Sequence, residues 1–261
     1  MISVVQLGTL DYATGLRLQK SLVEMRKEGR TGDVLLLLEH APVITLGRNA
    51  KAANVLASAE QLQARGVEVF ECDRGGDVTF HGPGQLVGYP IFDLREMTYS
   101  RNGERKTLGV IEYVRRLEEA LILTCTGFGI STQRVPGLTG VWTRPVSSDV
   151  PGKIAAIGVH ISRGVTSHGF ALNVNTDLEY FSLIVPCGIT SKPVTSMSKE
   201  CGQGLSMEAV TQSVSHNFGI VFDQQVVRSE TLDALVNTVG VPMKPPAELH
   251  ELHGDEDTSW A

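Results

Sequence analysis

The order of the periodic apolar segments is the feature that most limits how this chain can fold. Residues 12–28 and 107–125 have apolar side chains at the 3.6-residue spacing of amphipathic helices. Short apolar runs with the length of strands occur in groups between these helices, and they do not alternate strictly with them. Such an order is typical of the α+β class. We therefore predict a mixed sheet packed against a few helices.

The remaining predicted elements are short. Strands are predicted over residues 33–39, 43–46, 67–72, 130–134, 141–144, 154–161 and 167–174. Ser58 followed three residues later by Gln61 is a capping-box pattern, which predicts a helix over residues 58–65. Helical spacing also marks residues 207–218 and 232–239. No linker rich in Pro, Gly or Ser divides the chain. We expect one domain over residues 1–242 and a disordered acidic tail over residues 243–261.

Charge and cysteine spacing exclude several classes of protein. A net charge of -6 is a poor basis for sequence-independent nucleic-acid binding, which needs Lys and Arg to neutralise phosphates. No apolar run is long enough to cross a bilayer. The four cysteines are spaced too irregularly for a disulfide framework or a structural zinc site. The first residues lack the pattern of a signal peptide. We expect a cytoplasmic protein with free thiols, no metal, and no nucleic-acid or membrane partner.

The first candidate site is the segment RGGDVTFHGPG, which begins at Arg74. Gly75 and Gly76 allow the backbone to approach a ligand closely, and Arg74 offers a forked donor for an anion. His81 belongs to the residue type that exchanges protons near neutral pH. An ordinary glycine turn is the alternative, but so many polar residues and glycines beside an apolar strand favour a binding site. The pattern matches neither the dinucleotide fingerprint nor the P-loop.

The segment KIAAIGVHI, which begins at Lys153, is the second candidate. Its small residues Ala155, Ala156 and Gly158 leave room against the predicted strand. This room could receive a ligand, or it could allow close packing by a neighbouring helix. The pattern does not decide between these two interpretations.

Cys187 lies between Pro186 and Gly188, where an apolar stretch ends in a sharp turn that can expose a thiol. An ordinary thiol has a pKa of about 8.5, so little of it is ionised at neutral pH. A neighbouring ammonium or imidazolium would lower that pKa, and Lys153 and His168 are the candidates for this partner. A lone cysteine is more often an inert core residue, and this interpretation suits Cys125 and Cys72.

Together, the segments RGGDVTFHGPGQLVGYPI, KIAAIGVHI, TSHGFALNV and PCGI resemble the octanoyltransferases of lipoate biosynthesis, also called the lipoate-protein ligase B family. The resemblance extends from the first strand to about residue 195, and residues after about 241 lie outside it. It implies the fold of the biotin and lipoate protein ligase catalytic domain. It also implies an acyltransferase that needs no cofactor, and we expect a monomer.

The resemblance assigns roles to particular residues. The acyl-carrying cysteine of the family matches Cys187, and the lysine that lowers its pKa matches Lys153. The segments that form the substrate pocket match Arg74, Gly75, Gly76, Asp77, Val78, Thr79, Phe80, His81, Ala156, Ile157, Gly158, His168, Gly169, Phe170 and Ala171. The loop over residues 144–152 matches no motif of the family.

The implied reaction moves an octanoyl group from octanoyl-acyl-carrier protein, through a thioester on Cys187, to a lysine of a lipoyl domain. The implied acceptors are the lipoyl domains of 2-oxoacid dehydrogenase complexes and the glycine cleavage H protein. An ATP-dependent ligase of the same fold is the main alternative, and it would need a nucleotide site but no catalytic cysteine. A lipoyl-domain-binding module without activity and a cysteine hydrolase are further alternatives.

Overall fold

One large sheet, two smaller sheets and five α-helices form the described part of the chain. The computed structural model describes residues 1–101, 104–144, 150–186 and 192–229. The strands are β1 (Ile2–Leu10), β2 (Asp33–His40), β3 (Val43–Leu46), β4 (Glu68–Glu71), β5 (Val78–His81), β6 (Gln85–Ile91), β7 (Thr98–Arg101), β8 (Glu104–Thr107), β9 (Thr132–Val135), β10 (Leu138–Thr143), β11 (Lys153–Ser162), β12 (Val165–Asn173) and β13 (Val226–Ser229). The helices are α1 (Tyr12–Lys27), α2 (Ala59–Ala64), α3 (Val110–Gly127), α4 (Met197–Cys201) and α5 (Met207–Phe222).

The large sheet contains eight strands in the order β13-β1-β2-β6-β12-β11-β10-β9. Its pairs β13–β1 and β1–β2 are parallel, and its other pairs are antiparallel. Strands β4, β3 and β5 form a three-stranded sheet, and β7 and β8 form a two-stranded one. This mixed sheet packed with helices confirms the predicted α+β class.

Helices cover both faces of the large sheet. Leu35 and Leu37 of β2 belong to the core cluster that includes residues of α3 and α5. Leu36 and Leu38 belong to the cluster on the opposite face, which includes residues of α1. Successive side chains of a strand point to opposite faces, so a strand covered on both faces has no polar side. This explains the continuous run LLLL.

Capping residues set the starts of the first two helices. The Thr14 N–H donates to the Asp11 carboxylate at 2.8 Å at the start of α1. The capping box that the sequence predicts for α2 is present, with reciprocal hydrogen bonds between Ser58 and Gln61. The predicted starts of α1 and α2 agree with the structure to within one residue.

Two differences between the structure and the sequence-based expectation concern the start of α3 and the strand at the end of the described chain. Residues 104–107 form β8, so α3 begins at Val110 instead of residue 107, with Gly109 as its N-cap. The pairing of β13 with β1 joins the two ends of the described chain, and local periodicity cannot show it. The helix predicted over residues 232–239 and the acidic tail lie outside the described residues. None of the described helices is long and apolar enough to span a membrane.

Candidate active site

The main cavity lies where the loop between β4 and β5 meets β11 and β12. It encloses about 480 Å³, including space open to solvent. A hydrogen bond from the Gly75 N–H to the Val159 carbonyl, 3.0 Å long, holds the loop against β11. Most of the residues that the sequence singles out line this cavity: Arg74, Gly75, Gly76, Asp77, Thr79, His81, Ala156, Ile157, Gly158, His168, Gly169, Phe170 and Ala171.

Val78 and Phe80 are the two predicted pocket residues that the structure places elsewhere. Successive side chains of β5 point to opposite faces of the three-stranded sheet. Thr79 and His81 therefore line the main cavity, whereas Val78 and Phe80 belong to the core cluster on the other face. Phe80 stacks on Tyr180 with ring centroids 4.7 Å apart. These two side chains therefore support the cavity wall from behind.

Arg74 is buried in the wall of the main cavity, with only 8% of its surface exposed. Its Nη2 donates to the Thr45 carbonyl at 2.6 Å, and its Nη1 donates to the Gly75 carbonyl at 3.1 Å. No carboxylate pairs with this guanidinium among the described residues. Arg74 therefore shapes the loop, and its charge reaches the cavity without a compensating anion.

Asp77 connects the loop to the neighbouring turn. Its carboxylate accepts from the Asn54 side-chain amide at 2.5 Å and from the Lys51 N–H at 3.2 Å. The Asn54 carbonyl in turn accepts from the Val185 N–H at 2.7 Å. The loop is thus joined through hydrogen bonds to the chain segment that leads to residue 187.

Gly158 and Gly169 leave space for backbone rather than for a ligand. A Cβ atom at residue 158 would lie 2.7 Å from the Gly75 carbonyl oxygen, and one at residue 169 would lie 2.2 Å from that of Gly88. Ala156 lines the main cavity on the same strand. Ala156 therefore fits the interpretation as room for a ligand, whereas Gly158 packs closely against the loop backbone at Gly75 and not against a helix.

We expect Gly158→Ala to lower the free energy of unfolding by about 1–3 kcal/mol, because the added methyl forces backbone atoms apart. Urea denaturation measures this change. Gly32→Ala is the matched control, since a Cβ there meets no atom within 4 Å. Equal stability of the two variants would contradict the close packing of the loop on β11.

His81 is buried in the wall of the main cavity and stays neutral at ordinary pH. Burial, helped by the nearby His40 and Arg74, lowers its pKa from 6.5 to about 3. Its Nδ1 lies 2.7 Å from the Gln85 side-chain oxygen, while the Gln85 amide nitrogen donates to Phe80 and Asn173. Nδ1 therefore carries the proton, and Nε2 is left as an acceptor. This corrects the expectation that His81 exchanges protons near neutral pH.

The low pKa of His81 predicts a loss of stability in acid. Between pH 6.5 and 3 the unfolded chain binds a proton at this residue and the folded chain does not. The free energy of unfolding therefore falls as the pH falls through this window, with a contribution of about 1.4 kcal/mol per pH unit from one histidine. The free energy of unfolding, measured with urea between about pH 4 and pH 6, should rise with pH less steeply in His81→Gln than in wild type. The expected difference is this amount per pH unit. Equal slopes in the two proteins would contradict the burial of a neutral imidazole.

A second cavity adjoins the main one on the side of Lys153. We call it the lysine cavity; it spans about 290 Å³, including space open to solvent. It is lined by Thr79, Gln85, Lys153, Ala156, Ala171, Asn173, Phe181, Pro186 and Val194. Thr79, Ala156 and Ala171 line both cavities, so the two lie side by side.

Two ammonium groups lie over one buried indole beside the lysine cavity. The Lys153 Nζ is 5.2 Å from the centroid of the Trp142 ring, and the Lys192 Nζ is 5.9 Å from it. Such distances allow cation–π attraction, which holds the Lys153 side chain in place. Neither Trp142 nor Lys192 is marked by a sequence motif.

Backbone hydrogen bonds hold the chain on both sides of residues 187–191. The Val185 N–H donates to Asn54, and the Lys153 N–H donates to the Pro193 carbonyl at 2.8 Å. Cys187 itself lies outside the described residues, so its closeness to Lys153 stays a prediction. Pro186, which precedes it in the sequence, lines the lysine cavity.

Tyr12 and Tyr89 line the main cavity, although no sequence pattern marks them. The Tyr89 hydroxyl lies 2.6 Å from His40 Nε2, and His40 Nδ1 lies 3.0 Å from the Leu10 carbonyl. Burial lowers the pKa of His40 to about 4, so the neutral ring donates to Leu10 and accepts from Tyr89. In the sequence both tyrosines look like ordinary core residues of a helix and a strand.

A model of the lipoyl protein ligase A/B catalytic domain matches residues 11–219. The chain belongs to this family. Two bacterial relatives named octanoyltransferase are similar over most of their length. The one from Koribacter versatilis is 58% identical and covers 98% of each chain. The one from Acidobacterium capsulatum is 59% identical over 88% of this chain and 94% of its own. The chain is thus an enzyme of the acyltransferase class.

Solved lipoate ligases have the same fold. An archaeal bi-partite lipoate protein ligase from Thermoplasma acidophilum superposes with a TM-score of 0.66 at 15% identity, over 90% of this chain and 89% of that one. A lipoate-protein ligase A bound with ATP gives a TM-score of 0.64 at 13% identity, over 91% of this chain and 92% of that one. At such identity the likeness concerns the fold alone, and it confirms the architecture that the resemblance implied.

Proposed function

We propose that this acyltransferase takes octanoyl from octanoyl-acyl-carrier protein, holds it as a thioester on Cys187, and transfers it to the acceptor lysine of lipoyl domains. The proposed acceptors are those of 2-oxoacid dehydrogenase complexes and the glycine cleavage H protein. The observation that carries the proposal is a pair of adjoining cavities: Lys153 and Pro186 line one of them, and small or apolar side chains such as Ala156, Ala171 and Phe170 line the other. The relatives named octanoyltransferase support octanoyl as the transferred acyl group.

In the first half of the proposed reaction, the Lys153 ammonium stabilises the Cys187 thiolate. The thiolate attacks the carbonyl carbon of the carrier thioester, a new C–S bond forms, and the carrier thiolate leaves. Lys153 gives its proton to that thiolate, so the carrier departs as a thiol and Lys153 becomes a neutral amine. The exchange of one thioester for another is nearly balanced and requires no ATP.

In the second half, the amine of the acceptor lysine attacks the octanoyl thioester. An amide bond forms and the Cys187 thiolate leaves. The neutral Lys153 takes the proton that the acceptor nitrogen loses, which restores the starting state. His81 is too weak a base for this role, since an imidazole with a pKa of about 3 does not take up a second proton at neutral pH.

The main cavity suits an apolar chain. Ala156, Ala171, Val87 and Phe170 line it, and burial of each methylene stabilises a bound chain by about 0.8 kcal/mol.

The Gly76 N–H has no acceptor among the described residues, so it can donate to the oxyanion of a tetrahedral intermediate. We assign these steps to residues 1–242 acting as a monomer.

We also place the reaction in the cytoplasm. Cys72, Cys125 and Cys201 are free thiols, which suits a reducing compartment.

A transfer assay separates this proposal from its alternatives. A lipoyl domain is incubated with the enzyme and either octanoyl-acyl-carrier protein without ATP, or octanoate with ATP. We expect modification only with the carrier. Modification only with octanoate and ATP would identify a ligase instead. Release of free octanoate without any acceptor would identify a hydrolase, and binding without modification would identify an inactive module.

A further inference from the structure

A third cavity lies between α1 and the strands β11 and β12. We call it the helix cavity; it encloses about 680 Å³, including open space. Gln19 and Val23 of α1 line one side of it, and Asp73, His160 and His168 line the other. Only His168 also lines the main cavity. This one side chain therefore stands between the two spaces.

The three cavities follow one another along β11. Lys153 lines the lysine cavity, Gly158 the main cavity and His160 the helix cavity. A strand advances by about 3.3 Å per residue, so the helix cavity lies at the end of the main cavity away from Lys153. An acyl chain attached beside Lys153 and extended along the main cavity points toward His168.

Two hydrogen bonds fix His168 in this position. Its Nε2 lies 2.8 Å from the Asp73 carboxylate, and its backbone N–H donates to the Gln19 side-chain oxygen at 2.8 Å. The imidazole is 3% exposed. The hydrogen bond from His168 is the main reason that the pKa of Asp73 is lowered to about 2, so Asp73 is a carboxylate at neutral pH.

The backbone at His168 is strained. Its φ of 53° is left-handed, inside the strand β12, and side chains other than glycine rarely adopt this conformation. Such strain persists where surrounding contacts hold it in place and often marks functional sites. No group of three His, Cys, Asp or Glu side chains among the described residues has the geometry of a metal site, so metal binding does not explain it.

We propose that Asp73 and His168 form a gate that closes the acyl slot and sets the longest chain the enzyme accepts. This inference rests on the proposed transfer of an acyl group. An apolar slot alone favours longer chains by roughly fourfold per methylene, because each one adds buried surface. Preference for one length therefore needs a closed end. The His168 ring supplies it, and the Asp73 carboxylate keeps the ring in place.

The test compares acyl chains of different length on one enzyme. Wild type and His168→Gly are mixed with equal amounts of carrier proteins bearing chains of 8, 10 and 12 carbons, and the acyl-enzyme adducts are counted by intact mass. Glycine suits a positive φ, so this variant opens the wall without adding strain. We expect the ratio of 10-carbon to 8-carbon adduct to rise by about tenfold, as two more methylenes become buried.

Val23→Ala is the matched control, because it enlarges the helix cavity and leaves the wall intact. Its adduct ratio should equal that of wild type. Asp73→Ala releases the ring by a different route and should shift the ratio in the same direction as His168→Gly, so it replaces that variant if His168→Gly does not fold.

If the ratio of 10-carbon to 8-carbon adduct in His168→Gly equals that of wild type, the proposed gate is wrong. The same outcome in Asp73→Ala decides the question if His168→Gly does not fold. Absence of any adduct in wild type would instead count against the proposed function.

Discussion

Replacing Cys187 by serine is expected to lower the rate of octanoyl transfer by about 10⁴-fold or more, as removal of a covalent nucleophile does in other enzymes. A hydroxyl is far less ionised than a thiol at neutral pH, and it would form an ester that is less reactive toward an amine. The rate of lipoyl-domain modification from octanoyl-acyl-carrier protein measures the effect.

Cys201→Ser is the matched control for this prediction. Cys201 is a free, half-buried thiol at the end of α4, and its sulfur contacts the Phe128 carbonyl at 3.6 Å. This variant should transfer octanoyl at the wild-type rate. A Cys187→Ser enzyme that keeps a substantial part of the wild-type rate would exclude the thioester route.

Lys153→Met is expected to slow transfer by about 10²- to 10³-fold, the usual effect of removing a general acid–base group. It should also change the pH dependence. An ammonium beside a thiol lowers the pKa of that thiol, so its removal raises the thiol pKa toward its ordinary value. The rise of activity with pH should therefore move to higher pH in the variant, and alkaline buffer should restore part of the rate.

Lys192→Met controls for the general effect of removing a positive charge. Lys192 lies over the same Trp142 ring as Lys153, but it does not line the lysine cavity. We expect its transfer rate and its pH profile to stay close to those of wild type. If Lys153→Met and Lys192→Met lose activity equally and both keep the wild-type pH profile, Lys153 does not lower the pKa of the Cys187 thiol and the proposed role is wrong.

Local periodicity was sufficient for most helices and strands. The helices α1 and α5 and the strand β3 lie where their apolar spacing predicts, because each buries one side or both sides in a core. The strands β7 and β8 were not predicted, since the residues TYSR and ERKT have no apolar alternation. The pairing of β13 with β1 depends on contacts between distant residues, which no local pattern contains.

The candidate site was predicted as a set of segments rather than as a geometry. The sequence marks Arg74 and Lys153 because charged residues stand beside glycines and alanines there. It cannot show that Arg74 is held by Thr45. It also cannot show that burial keeps His81 neutral, because the pKa of a histidine depends on the residues that surround it after folding.

The helix cavity was not anticipated for a similar reason. His168 belongs to a motif, but its left-handed backbone and its bond to Asp73 arise from the packing of the loop against β12. A pattern of residue types contains no φ angle. The position of His168 between two cavities, on which its proposed role rests, therefore depends on the folded chain.

The most direct measurement is the intact mass of the enzyme after brief mixing with octanoyl-acyl-carrier protein in the absence of ATP, followed by peptide mapping. The account predicts one added octanoyl group on the peptide that contains Cys187, and loss of this group when a lipoyl domain is added. An enzyme that modifies the lipoyl domain without ever carrying octanoyl on Cys187 would contradict it.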